Sequence, residues 1–140
     1  MASAMFEAVR WAEVPIGKLL GMRLASSEPD HAQVELDVDR RFANPMGTLH
    51  GGVLCDLADA AMGTAFAAGL AEGESFTTLE LKINFLRPVW HGTLRAQAHV
   101  VQRGRTVGLV ECDVVDERER LIARASSTCL TLRADQAAGR

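Results

Sequence analysis

Alternating apolar and polar residues dominate the chain and predict strands. Ala32, Val34, Leu36 and Val38 alternate with Gln33, Glu35 and Asp37, a period of two that buries one face. The strand-like pattern begins near Met22, and Ser26 to His31, with its Pro29-Asp30 pair, reads as the turn joining two strands. Leu79, Leu81, Ile83 and Phe85 alternate with Glu80, Lys82 and Asn84. Leu94, Ala96, Ala98 and Val100 alternate with Arg95, Gln97 and His99. Val107 to Val115 and Leu121 to Leu132 supply two further strands. The turns fall at Pro88 to Gly92, Arg103 to Arg105 and Asp116 to Arg120. Connections this short favour antiparallel neighbours, because parallel pairs need long crossovers.

One segment breaks the strand pattern. From about His50 to Leu70 the chain is rich in Ala and Leu and nearly free of charge, which predicts a helix buried on almost all sides. Its small residues, among them Gly51, Gly52, Ala58, Ala61, Gly63 and Ala65, let a sheet approach closely. Ser3 to Leu20 is weakly helical, with Pro15 as an interruption. Arg41 to Leu49 reads as a loop, and the tail after Arg133 as frayed. The sum is a single α+β domain, one long buried helix held against a curled antiparallel sheet of five to six strands.

Composition narrows the function. A chain of 140 residues, 48% hydrophobic, suits one domain with a real core. Its net charge of −3 argues against a nucleic-acid binder, whose footprint is basic, while leaving room for an anionic small ligand held by local arginines. No secretory signal and no membrane-length apolar run stands out, so a cytoplasmic protein away from membranes is expected. Cys55, Cys112 and Cys129 lie far apart in apolar runs. They read as buried thiols, and no cysteine or histidine cluster suggests a metal.

Three features converge on the start of the helix. His50-Gly51-Gly52 opens it, where backbone N–H groups lack internal partners and the helix dipole is positive. Glycines there let a carbonyl approach amides that can stabilise an oxyanion, or else serve only a tight entry into the helix. Asp59 lies nine residues after His50, inside the apolar helix, where a carboxylate needs a partner or a task. A desolvated carboxylate is a suitable general base, and an ion pair across a subunit contact is the other reading. Asp56 competes for the role, and Asp59, deeper in the apolar run, is preferred. Asn44, six residues before His50, either holds a carbonyl or a water or shapes an Asn-Pro turn. Neither a Gly-x-Ser-x-Gly elbow nor a phosphate-binding or dinucleotide fingerprint is present.

Taken together, Asn44, Gly47-Thr48-Leu49-His50-Gly51-Gly52 and Asp59 resemble the hotdog-fold acyl-CoA thioesterases of the thioesterase superfamily, the phenylacetyl-CoA type in particular. Asn84-Phe85-Leu86-Arg87-Pro88-Val89, Gly92 and Gly104-Arg105 extend the similarity over roughly residues 14 to 132. The resemblance implies hydrolysis of an acyl- or aryl-CoA to the free acid and coenzyme A, with no cofactor beyond the coenzyme A of the substrate. It implies that the Gly51 amide polarises the thioester carbonyl while His50 shapes the loop and Gly52 lines the substrate. Asp59, from the other subunit, activates water or attacks directly, and Asn44 fixes the carbonyl or the water. An assisting hydroxyl falls on Thr78, with Thr77 as its neighbour. Arg87, Arg103 and Arg105 lie at strand ends or turns where they could meet the nucleotide phosphates, or are ordinary surface charge. The resemblance also implies a homodimer whose sheets join edge to edge, often as a dimer of dimers. The chain's excess of apolar strand and small-residue helix agrees with that. A Glu at the carboxylate position and a hydroxyl four residues later mark hydroxybenzoyl-CoA enzymes, and here those places hold Asp59 and Gly63. The competing readings are a non-catalytic acyl-CoA sensor and a hydratase on the same fold.

Overall fold

A computed structural model describes residues 10–138. Helix α1 is short, Pro15–Leu20, with Pro15 in its first turn and Gly21 ending it at a φ of 78°. Proline therefore starts this helix where the sequence suggested an interruption, since its missing N–H costs nothing in the first turn. The earlier part of the helix expected over residues 3 to 20 lies mostly outside the described residues. Trp11 anchors the segment by donating its indole N–H to Thr64 Oγ1 at 2.9 Å.

Six strands follow: β1 Arg23–Glu28, β2 His31–Asp37, β3 Ser75–Phe85, β4 Thr93–Arg103, β5 Val107–Val115 and β6 Leu121–Leu132. All pairs are antiparallel, in the order β1-β2-β4-β5-β6-β3. Helix α2, Gly51–Ala68, packs across the inner face of this sheet. Ala32, Val34 and Leu36 of β2 and Leu94, Ala96 and Ala98 of β4 turn inward against it, as their alternation predicts. The long helix within a curled antiparallel sheet is the α+β arrangement expected from sequence. No helix among the described residues is long and apolar enough to cross a membrane.

Two features of β3 position the site. It is an edge strand, so one of its backbone edges pairs with no described strand. It also carries a bulge, because its register against β6 shifts between Thr78 and Glu80. The extra residue, Leu79, is 59% exposed. Phe76 and Thr78 therefore face the helix before the bulge, and Leu81, Ile83 and Phe85 after it. The expectation that Leu79 shares the buried face fails for this reason.

The tail after Arg133 is also more ordered than expected. Ala134–Ala137 forms a 3₁₀ turn, and the Arg133 guanidinium lies 2.7 Å from Glu74 Oε2.

Candidate active site

Each residue of the His50-Gly51-Gly52 run has a separate geometric reason. His50 is the N-cap of α2, and its Nδ1 accepts from the Gly52 N–H at 2.9 Å. A side chain on Gly52 would place its Cβ 3.0 Å from that same Nδ1, so glycine leaves room for the folded-back imidazole. A methyl on Gly51 would stand 2.7 Å from Cζ of Phe85, so glycine lets the phenyl ring rest on the helix start. Val53 N–H donates to the His50 carbonyl. The Gly51 N–H donates to no described group, and it is the free amide at the positive end of the helix. By accepting through Nδ1, a neutral His50 keeps its proton on Nε2.

The loop before the helix is built by Asn44. Its Oδ1 accepts from the N–H groups of Met46 and Thr48, and its Nδ2 donates to Thr48 Oγ1 at 2.8 Å. The backbone closes the same loop through Asn44 N to Thr48 O at 2.7 Å, with Gly47 at a φ of 88°. The turn reading of Asn44 is thus realised, and one Nδ2 proton meets no partner among the described residues. His50 N–H then donates to the Phe42 carbonyl and Leu49 N–H to the Val89 carbonyl, which fixes the helix entry against the β3–β4 connection.

Asn44, His50, Gly51 and Gly52 line one cleft of about 500 Å³, whose other walls are mostly apolar and include Leu54, Phe85 and Val89. Asp59 is not in it. Asp59 lines a second cleft with Cys55, Asp56, Thr78 and Leu81. Gly51 and Asp59 are eight positions apart on α2, roughly 12 Å along the axis. Thr78 faces this second cleft, Thr77 does not, and Thr78 Oγ1 lies 3.8 Å from Cys129 Sγ.

Asp59 was expected to be buried, and within one chain it is exposed. The reason is the edge position of β3, which leaves the face of α2 bearing Gly52, Asp56 and Asp59 uncovered. Enough protein still surrounds the carboxyl that desolvation raises its pKa, and the charge of Asp56 raises it further. Asp56 is raised by desolvation alone, and protein packs less closely about it. Neither carboxylate has an ion pair among the described residues. Cys55 is half-buried beside them, not fully buried as expected, and its thiol is raised chiefly by desolvation. Burial pushes the Cys112 thiol up to about 12.

The three arginines separate. Arg87 lines the Gly51 cleft, and its guanidinium pairs with no described carboxylate. Arg103 is committed elsewhere: its Nη2 donates to Asp30 Oδ1 at 2.7 Å and to the Phe66 carbonyl at 2.8 Å, and its guanidinium lies 4.1 Å from the centre of the Phe66 ring. It clamps the C-terminal end of α2, far from Gly51, with its Nε and Nη2 donors engaged. Arg105 follows on the same turn, exposed, its carbonyl accepting from Arg133. Phe85 was read from sequence as a core-facing strand residue and as part of the Asn84 to Val89 run that carries the family resemblance, with no role at the site. Its apolar character continuing into Leu86 past the strand end was the available signal that it serves the cleft. Among the described residues no group of three or more His, Cys, Asp or Glu could hold a metal.

The fold and these motifs have counterparts. The family model described as the thioesterase superfamily matches residues 46–123, from the Asn44 loop into β6. The acyl-coenzyme A thioesterase PaaI of Escherichia coli is 34% identical over 108 residues, spanning 76% of this chain and 74% of that protein. A 1,4-dihydroxy-2-naphthoyl-CoA hydrolase of Listeria monocytogenes is 30% identical over 109 residues, spanning 78% and 89%. The crystal structure of a thioesterase from Haemophilus influenzae superposes with a TM-score of 0.82 at 28% identity, covering 87% of this chain and 85% of the other. With more than half of its length matched by the family model and its helix and sheet in the same arrangement, the chain belongs to the thioesterase superfamily and has the hotdog fold.

Proposed function

We propose that the protein hydrolyses the thioester of an acyl-CoA at a site shared between two copies of the chain. The observation that carries this reading is the separation of the two halves. The free Gly51 amide lies in a cleft without an acid, and Asp59 lies in a different cleft on the same helix. Within one rigid helix the two cannot meet at one carbonyl carbon. A second copy seated against β3 brings the partner subunit's Asp59 to the Gly51 amide. The free edge of β3 supports such seating. So does the exposed apolar side chain of Leu79 on that strand.

In the reaction, the thioester carbonyl accepts from the Gly51 N–H, at the positive end of α2. Asp59 takes a proton from water, and the water oxygen bonds to the carbonyl carbon as the carbonyl electrons move to oxygen. Collapse of the tetrahedral species breaks the carbon–sulfur bond. Coenzyme A leaves as a thiolate and takes from Asp59 the proton that came from water, and the acyl group leaves as a carboxylic acid. Direct attack by the Asp59 carboxylate, through an anhydride that water then opens, gives the same products. His50 acts by holding the helix start, Asn44 by folding the loop and offering its remaining Nδ2 proton, and Gly52 by yielding its amide to His50. Thr78 stands beside Asp59 to orient the water. Arg87 is the arginine left to meet the phosphates of coenzyme A. The relatives that act on acyl-CoA and naphthoyl-CoA thioesters support coenzyme A as the leaving group. Phenylacetyl-CoA is one member of that class.

Release of free thiol from a panel of acyl-CoA thioesters, read with a thiol-reactive dye, tests the reading. Turnover of at least one member is expected. Binding of acyl-CoA with no thiol release from any of them would make the protein a sensor and refute hydrolysis.

A further inference from the structure

Phe85 presents an unusual pairing of groups. The tip of its ring, Cζ with Cε1 and Cε2, rests on Gly51 so closely that a methyl there would stand 2.7 to 3.1 Å from those three atoms. Yet the residue is 54% exposed. An exposed phenyl face and an unpaired backbone N–H therefore lie side by side at the helix start. Water satisfies the amide but not the ring, and an apolar side chain satisfies the ring but not the amide. A carbonyl oxygen that carries an apolar substituent satisfies both.

We infer that Phe85 is a specificity-determining residue, the wall against which the acyl group lies when its carbonyl occupies the Gly51 amide, and that its ring limits how bulky that group can be. This rests on the thioesterase reading above and names the residue that selects among its substrates. The cleft offers apolar wall, from Leu49, Leu54, Leu86 and Val89, for the acyl group beside the ring, and polar groups, on Asn44, Thr48 and Arg87, for the coenzyme A side. Leu54 and Val89 are buried and fixed, whereas the ring occupies the volume next to the amide. Shrinking it enlarges the pocket at the position nearest the reacting carbon.

The test compares the unchanged protein with Phe85→Ala, Phe85→Leu and Phe85→Trp. The measurement is kcat/KM for thiol release from straight-chain acyl-CoAs, acetyl to dodecanoyl. One or two methylenes in an apolar pocket discriminate by about tenfold or more. Phe85→Ala is accordingly expected to shift the ratio of long-chain to short-chain kcat/KM upward by about tenfold, Phe85→Leu by less, and Phe85→Trp in the opposite direction. Thermal melting and size-exclusion elution confirm that each variant keeps its fold and assembly, and Phe85→Leu retains an apolar contact should the alanine fail to fold. A loss equal for every chain length, or an unchanged ratio, would overturn the inference while leaving hydrolysis standing. Absence of thiol release by the unchanged protein would instead overturn the hydrolase reading, and this inference with it.

Discussion

Replacing His50 by alanine removes the acceptor that holds the Gly52 N–H at 2.9 Å and leaves two unpaired amides at the start of α2 where there was one. Loss of an N-cap acceptor costs about 1 kcal/mol, and the exposure of His50 places it toward the lower end, because water can replace part of the bond. Unfolding entropy near 60 °C is about 2.1 cal/mol/K per residue, or about 0.3 kcal/mol/K over 140 residues, so the melting temperature should fall by about 3 °C. Activity should fall further than this, because a frayed first turn no longer holds the Gly51 amide in one place. His50→Asn supplies a side-chain oxygen suited to the same cap and should recover most of the stability and part of the rate. The assay is thermal unfolding at one fixed protein concentration, with kcat/KM measured in parallel. An alanine variant that melts with the unchanged protein, or an asparagine variant as unstable as the alanine, would refute the capping role.

Removing the charge of Asp56 by Asp56→Asn takes away one of the two causes that raise Asp59, so the acid limb of the kcat/KM profile should move to lower pH; an unmoved limb would exclude Asp59 as the titrating base. The same raised carboxyl works against stability. From the ordinary value of 3.8 upward the folded chain holds a proton that the unfolded chain has lost, so stability falls as pH rises through that window to the folded pKa. Asp59→Asn should flatten that fall in urea titrations at several pH values, and an equally steep decline would place its cause elsewhere. Arg103→Ala should cost about 2 kcal/mol through the lost charge-assisted bonds to Asp30 and Phe66 while leaving KM unchanged. Arg87→Ala should leave stability unchanged and raise KM for acyl-CoA, and the opposite pattern would reverse the two assignments.

The sequence was legible wherever a single local rule decided the outcome. The period-two run from Ala32 to Val38 and the charge-poor run from His50 fix β2 and α2, because one buried face or one composition sufficed. Leu79 was misread because a bulge inserts one residue and inverts the facing of everything before it, and no local residue announces the bulge. The clamp made by Arg103 was not legible because its partners, Asp30 and the Phe66 carbonyl, are 73 and 37 residues away, a pairing only the folded sheet creates. The spacing of Gly51 and Asp59 was legible. That they open into different clefts was visible only once β3 proved to be an edge strand.

A site shared between copies can be tested by mixing two inactive variants. Gly51→Pro removes the free N–H at a position whose backbone proline suits, His50 having φ −64° and ψ 134°; its Cβ pushes aside the Phe85 ring, which belongs to the site that variant already disables. Asp59→Asn removes the base, and loss of general-base catalysis lowers the rate by about 10² to 10⁴-fold. Each variant alone should release almost no thiol from the best acyl-CoA substrate, with its fold verified by circular dichroism. If the two are unfolded together and refolded at equal concentration, half the dimers are mixed and each mixed dimer regains one intact site, so about a quarter of the unchanged activity should return. Recovery to that level is the result expected here. Full activity in either variant alone, or none after mixing of two folded variants, would contradict the shared site.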